Sequence, residues 1–304
     1  MLIAILLIGW LAGTGGACFA AGPPAGALDA TSSLALVRAA AANEAAAANE
    51  DSNRHMFRSR KQTPQGTQTR LYLETRQAMV GMTVAYNDKP LTPEQKKAEE
   101  DRLMELASSP DLLRHKHSQE QENAERTLRM LKALPEAFLY DYDGEEEGSA
   151  GLSQPGVRLT RLRFHPNPTY QPPSRVEQVL AGMKGVVVID PVARRIAQID
   201  GTLFKEVSFG WGILGHLDKG GRFLVQQCDA GDHSWEISRM SLEFTGKILL
   251  FKNLSIKSDE VLDRFRPVPA DITFVQGVQM LKAEEAKLAQ NSSIEAVKPE
   301  SRSH

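Results

Sequence analysis

Two hydrophobic rhythms run through the chain, and the period-two rhythm dominates. Met240, Leu242 and Phe244 alternate with Arg239, Ser241 and Glu243, the alternation of a strand with one buried and one wet face. Around it the pattern predicts three strands, Arg222–Cys228, Trp235–Phe244 and Lys247–Lys257, with turns at Asp229–Asp232 and at Thr245-Gly246. Upstream, Asn53–Gln62, Thr67–Gln77 and Met79–Tyr86 predict a meander, with Leu71 and Leu73 alternating against Tyr72 and Glu74. Ala137–Tyr142 and Val157–His165 add two more strands, separated by an acidic, Gly-rich loop. Between these blocks lies the stretch Gly182–Leu203, in which Gly185–Ile189 and Arg195–Ile199 flank Asp190-Pro191. Asp caps such a turn and Pro presets its φ, so a β-hairpin is predicted. Val186, Val187, Val188 and Ile189 leave neither face of its first strand polar, which predicts cover on both sides, by helices or by the wall of an apolar cavity.

The helical rhythm is confined to four places. Ser32 or Ser33 caps an Ala-rich helix from Thr31 to Asn49. Thr92, Pro93 and Gln95 make a capping box with Pro at the first helical position. A second helix follows from Pro110 or Asp111 to Leu134, apolar at both ends, with a polar middle (RHKHSQEQENAER) that suits water. The pair, residues 91–134, reads as a helical insertion projecting from the sheet. Ser174 caps a short helix before the hairpin. Ile272, Val275, Val278 and Leu281 mark a C-terminal helix within residues 269–290, and the polar residues 291–304 read as a disordered tail.

The N-terminus changes the compartment. An apolar run followed by small residues up to Ala21 is the pattern of a secretory signal, residues 1–21, although no Lys or Arg precedes Arg38; an uncleaved anchor is the alternative. Gly16-Ala17-Cys18 also suits acylation of Cys18 after cleavage, as in bacterial lipoproteins, while Gly15 stands where Leu is usual. Under ordinary cleavage Cys18 is discarded and Cys228 is a lone structural thiol. Residues 22–30 read as a Pro/Gly/Ala linker. With 41% hydrophobic and 24% charged residues the chain as a whole has the composition of ordinary folded protein, and a net charge of -2 gives no electrostatic case for nucleic acid.

Chemistry is sparse. His115 and His117, two apart on a helix, point in opposing directions and cannot share a metal. Asp232-His233-Ser234 has the letters of a triad, but adjacent residues cannot adopt its geometry. His216 with Asp218 is a short coincidence, and His55 lies in a strand with no sequence neighbour to pair with. No nucleophile elbow, zinc helix or dinucleotide fingerprint occurs. The expectation is a non-enzyme without cofactor or metal.

The order of elements, with a strand ending in Phe164-His165-Pro166, a short helix and then the G-x-V-V-V-I-D-P hairpin, resembles the periplasmic outer-membrane lipoprotein carriers and receptors, LolA and LolB, and the RseB-type sensors that share their fold. The resemblance implies an α+β fold over residues 31–268, an open, curved antiparallel half-barrel with helices on its concave face around a cavity for acyl chains. It implies an exported protein, periplasmic or associated with the outer membrane, that holds lipid or lipoprotein acyl chains. Val186, Val188, Phe223, Met240, Leu242 and Phe244 are the expected core or cavity residues, with Phe209 and Trp211 near an entrance. Two other readings stand beside it: an envelope interaction module docking a partner protein through the charged helical insertion, and an envelope hydrolase whose Ser, His and acid meet only in space.

Overall fold

The computed structural model describes residues 29–48, 53–209, 214–231, 234–248 and 252–297. The signal segment, Cys18, Trp211 and His233 lie outside them. Asp29 caps the first helix, α1 (Ala30–Ala47), by accepting from the Ser32 N–H at 2.7 Å. A meander follows, β1 (Arg54–Thr63), β2 (Gly66–Leu73) and β3 (Val80–Tyr86), with a short β4 (Lys89–Pro90). β2 stops earlier than its composition suggests, because Thr75 Oγ1 accepts from the N–H groups of Gln77 and Ala78 and turns the chain. Helices α2 (Pro93–Ser108) and α3 (Pro110–Ala137) then lead into β5 (Phe138–Glu147), β6 (Arg158–Pro166), the one-turn α4 (Arg175–Gln178), β7 (Met183–Asp190) and β8 (Arg195–Leu203). The chain closes with β9 (Val207–Phe209), β10 (Gly215–Leu217), β11 (Arg222–Gly231), β12 (Ser234–Ile248), β13 (Lys252–Val268) and α5 (Phe274–Val297).

All pairings between these strands are antiparallel, in the order β4-β3-β2-β1-β13-β12-β11-β8-β7-β6-β5, with β9 and β10 attached to the far end of β12. Neither β4 nor β5 closes the ring, so the 13-stranded sheet is an open α+β half-barrel. α1 and α3 pack together against it. One core joins α1 to the sheet through Val37, Leu162, Val187, Ile189 and Leu203; a second joins β2 and β3 to α2 and α5 through Leu73, Val80, Leu103, Phe274 and Leu281.

The predicted hairpin is β7–β8. Asp190 Oδ1 accepts from the N–H groups of Val192 and Ala193, fixing its turn. Both faces are covered, as an all-apolar strand requires. Val187 and Ile189 face the main core, while Val186 and Val188 face the opposite way, under Leu152 and Val157 of the β5–β6 loop. That second cover is a loop, not a helix.

Three expectations are corrected. Residues 91–134 do not project. Leu103 of α2 is fully buried against the sheet, and Met130, Leu131 and Leu134 of α3 pack on the main core. Charged residues of the insertion also finish the free edge of β3: Glu99 accepts from the Thr83 N–H at 2.7 Å, Glu120 from the Met79 N–H at 3.1 Å, and Arg102 donates to the Gly81 carbonyl at 2.7 Å. An uncovered edge invites pairing with another chain, and these contacts occupy part of that edge. Secondly, Thr245-Gly246 is not a turn. Gly246 lies inside β12 opposite β10, where a Cβ would meet the His216 carbonyl oxygen at 2.1 Å, so glycine is there for close approach. Thirdly, α5 continues to Val297, into the segment whose polarity suggested a tail.

Candidate functional site

Between the concave face of the sheet and helices α1 and α3 lies a cavity of about 980 Å³, near the top of the range of about 300–1,000 Å³ usual for small-molecule sites. Leu131 and Leu134 of α3 form its roof. Phe138 and Phe164 on β5 and β6, Met183 on β7 and Ile199 on β8 form one wall; Phe223, Leu242 and Phe244 on β11 and β12 form another. Phe223 lies across Gly201 of β8, where a Cβ would come within 2.2 Å of its ring, so the missing side chain lets the ring lie against the strand.

Of the residues expected there, Phe209, Phe223, Leu242 and Phe244 line the cavity. Met240 is buried in the same core without reaching the wall. Val186 and Val188 are on the other face of β7, because side chains alternate and a phase error of one residue exchanges the two sets. The neighbours Val187 and Ile189 take the inward places.

Arg175, His216 and Lys247 line the cavity elsewhere, and one end of it is polar. Arg54 of β1, Glu74 just after β2, Glu44 of α1 and Arg195 of β8 border it, together with His117, Glu120 and Arg126 from the stretch of α3 whose polarity suggested water. Arg195 Nε and Nη2 donate to the two oxygens of Glu44 at 2.9 and 3.0 Å, and the Ile196 N–H adds a third bond at 2.9 Å. The Arg195 guanidinium stands 5.5 Å from the centre of the Trp235 ring. Deeper lies a cluster assembled from three strands: His55 Nδ1 is 2.8 Å from Glu236 Oε1, the Ser234 hydroxyl donates to the same oxygen at 3.3 Å, and the His55 N–H donates to Glu74 Oε2 at 2.8 Å. Burial pushes the Glu74 carboxyl up to about 8, with help from the neighbouring Glu236, and burial holds Glu236 well above the usual carboxylate range. Ser234 and His55 thus converge on one carboxylate oxygen, which is not the relay of a nucleophile through a base to an acid.

No sequence signal announced this cluster, since its members stand far apart along the chain. His216 gains Asp218 at 3.3 Å, and with Glu206 these form the one His/carboxylate group close enough for a cation among the described residues. No described helix is long and apolar enough to cross a membrane. Comparison with protein-family models, with curated proteins and with solved structures finds no match.

Proposed function

We propose that this is an exported, non-enzymatic protein that holds the acyl chains of a lipid or lipoprotein inside its half-barrel, in outer-membrane lipoprotein trafficking or envelope sensing. The observation that carries the reading is the apolar cavity of about 980 Å³ beneath an open sheet. Hydrocarbon entering such a space gains roughly 0.8 kcal/mol for each buried CH₂, so a long chain binds well without directional contacts. The aromatic and aliphatic wall of Phe138, Phe164, Phe223, Leu242 and Phe244 suits that ligand. The signal-like N-terminus and the likeness in element order to the lipoprotein carriers support an address in the periplasm or at the outer membrane.

Native mass spectrometry of the protein recovered from an exporting cell tests both halves of the reading. The expected result is a processed N-terminus and adducts of lipid mass. Protein that carries no extractable lipid, and that fails to bind a fluorescent fatty acid after delipidation, would overturn it.

A further inference from the structure

Nothing in the burial of a hydrocarbon tail explains the acid at the polar end of the cavity. Glu74 lines that space yet is only 6% exposed. Its Oε2 is occupied by the His55 N–H, while its Oε1 is buried with no hydrogen-bond partner among the described residues. Leaving such an oxygen unsatisfied costs about 1–3 kcal/mol; Ser33 Oγ, Tyr170 OH and Glu236 Oε2 are in the same position, but of these residues only Glu74 lines the cavity. Burial, with the second buried carboxyl of Glu236 acting on it, raises this carboxyl to about 8 against the pull of the His55 N–H and of Arg54, which favours its neutral form at pH 7. With Oε2 already accepting, a proton on this carboxyl belongs on Oε1, which makes that oxygen a donor in search of an acceptor.

We propose that Glu74 Oε1, brought to the cavity surface by a small rotation of its side chain, is the head-group contact of the cavity, an O–H donor to the carbonyl or carboxylate oxygen of an acyl chain whose tail lies along the apolar wall. The assignment rests on the reading of the cavity as an acyl-chain site and sharpens it. It gives the bound chain a direction, head toward Arg54, Glu74 and Arg195 and tail toward Phe223 and Phe244. A cationic head would require Glu74 to ionise in its buried place, so amines are disfavoured.

Displacement of the apolar fluorophore phenylnaphthylamine from the full chain by laurate, methyl laurate and dodecylamine tests this. Wild type is expected to prefer either acyl compound over the amine; preference for laurate alone identifies a free acid, and equal preference an ester carbonyl. Glu74→Leu is expected to weaken the acyl ligands about five- to tenfold, the value of one hydrogen bond, while binding phenylnaphthylamine as before. Glu74→Gln, whose amide keeps a donor at that place, is expected to retain the preference. Stronger binding of dodecylamine, or unchanged laurate affinity in Glu74→Leu, would overturn the proposal. Should Glu74→Leu fail to fold, the ranking of the three ligands on wild type and Glu74→Gln decides. If wild type binds no phenylnaphthylamine at all, the cavity reading itself falls, and this one with it.

Discussion

Glu44 on α1 and Arg195 on β8 meet through two parallel hydrogen bonds of 2.9 and 3.0 Å, with side chains 7% and 10% exposed. The pair ties the small-residue helix to the hairpin at the mouth of the polar end. Taking away one partner strands a buried charge and also the Ile196 N–H that Glu44 satisfies. Glu44→Ala is therefore expected to cost about 3–5 kcal/mol, read as a drop in the urea midpoint at unchanged slope. Replacing both partners, Glu44→Leu with Arg195→Met, should recover a good part of that loss; a single variant as stable as wild type would contradict the account.

The acid cluster makes stability depend on pH in an unusual direction. Glu74 titrates near 4.5 when unfolded and near 8 when folded, so between those values the folded state carries a proton that the unfolded state has released. Stability is then fully present below pH 4.5 and declines as pH rises through the window, by roughly 1 kcal/mol per pH unit from this group. Denaturant titrations at intervals from pH 5 to pH 8 should follow that slope, and Glu74→Gln should flatten it. A Glu74→Gln protein with the slope of wild type would assign the effect to other groups.

Phase along β7 separates two classes of variant. Leu131 of α3 and Phe223 of β11 reach the cavity, whereas Val186 is half-buried on the opposite face. Leu131→Trp should shorten the longest fatty acid the protein accepts, because the indole occupies space that a tail would fill. Val186→Thr should leave the chain-length series untouched. A length series that responds to Val186 and ignores Leu131 would mean that the ligand lies elsewhere.

The helices of residues 91–134 seal the edge of β3, so their loss has a structural outcome. Glu99→Ala removes the acceptor of the Thr83 N–H and the partner of Arg102. It should destabilise by about 1–2 kcal/mol and promote strand-to-strand association, visible as a concentration-dependent rise in light scattering. Deleting Leu91 to Leu134 should abolish folding altogether, since Leu103, Leu131 and Leu134 leave the two cores with it. A deletion protein that folds and still binds lipid would restore the image of a detachable docking arm.

What could be read beforehand was local. The Asp190 turn and the capping box of Thr92 and Gln95 are each complete within a few residues, and both form as written. The inward phase of β7 was not legible, because four consecutive apolar residues contain no polar position to fix which alternate set faces the core. Gly246 misled for a related reason: the sequence shows a glycine but not the β10 carbonyl that requires it. The cluster of His55, Glu74 and Glu236 joins the beginning of β1, the end of β2 and the start of β12, and only the pairing order of the sheet brings them together. The polar middle of α3 does face solvent at Arg114, His115, Ser118, Gln119 and Glu122; what the sequence did not show is that His117, Glu120 and Arg126 border the cavity, because a polar cavity wall and a wet surface select the same side chains.

A bowed sheet that stays unclosed needs something to fix the distance between its two rims, and here one rod does so. α3 has 28 residues; Glu120, more than a third of the way along it, grips the rim at Met79, and its last residue, Ala137, runs straight into the opposite rim at Phe138, so about 26 Å of helix separates the two contacts. The span of the trough is consequently written in the length of a single helix, and adding or removing a turn is the simplest way for such a chain to resize what it carries.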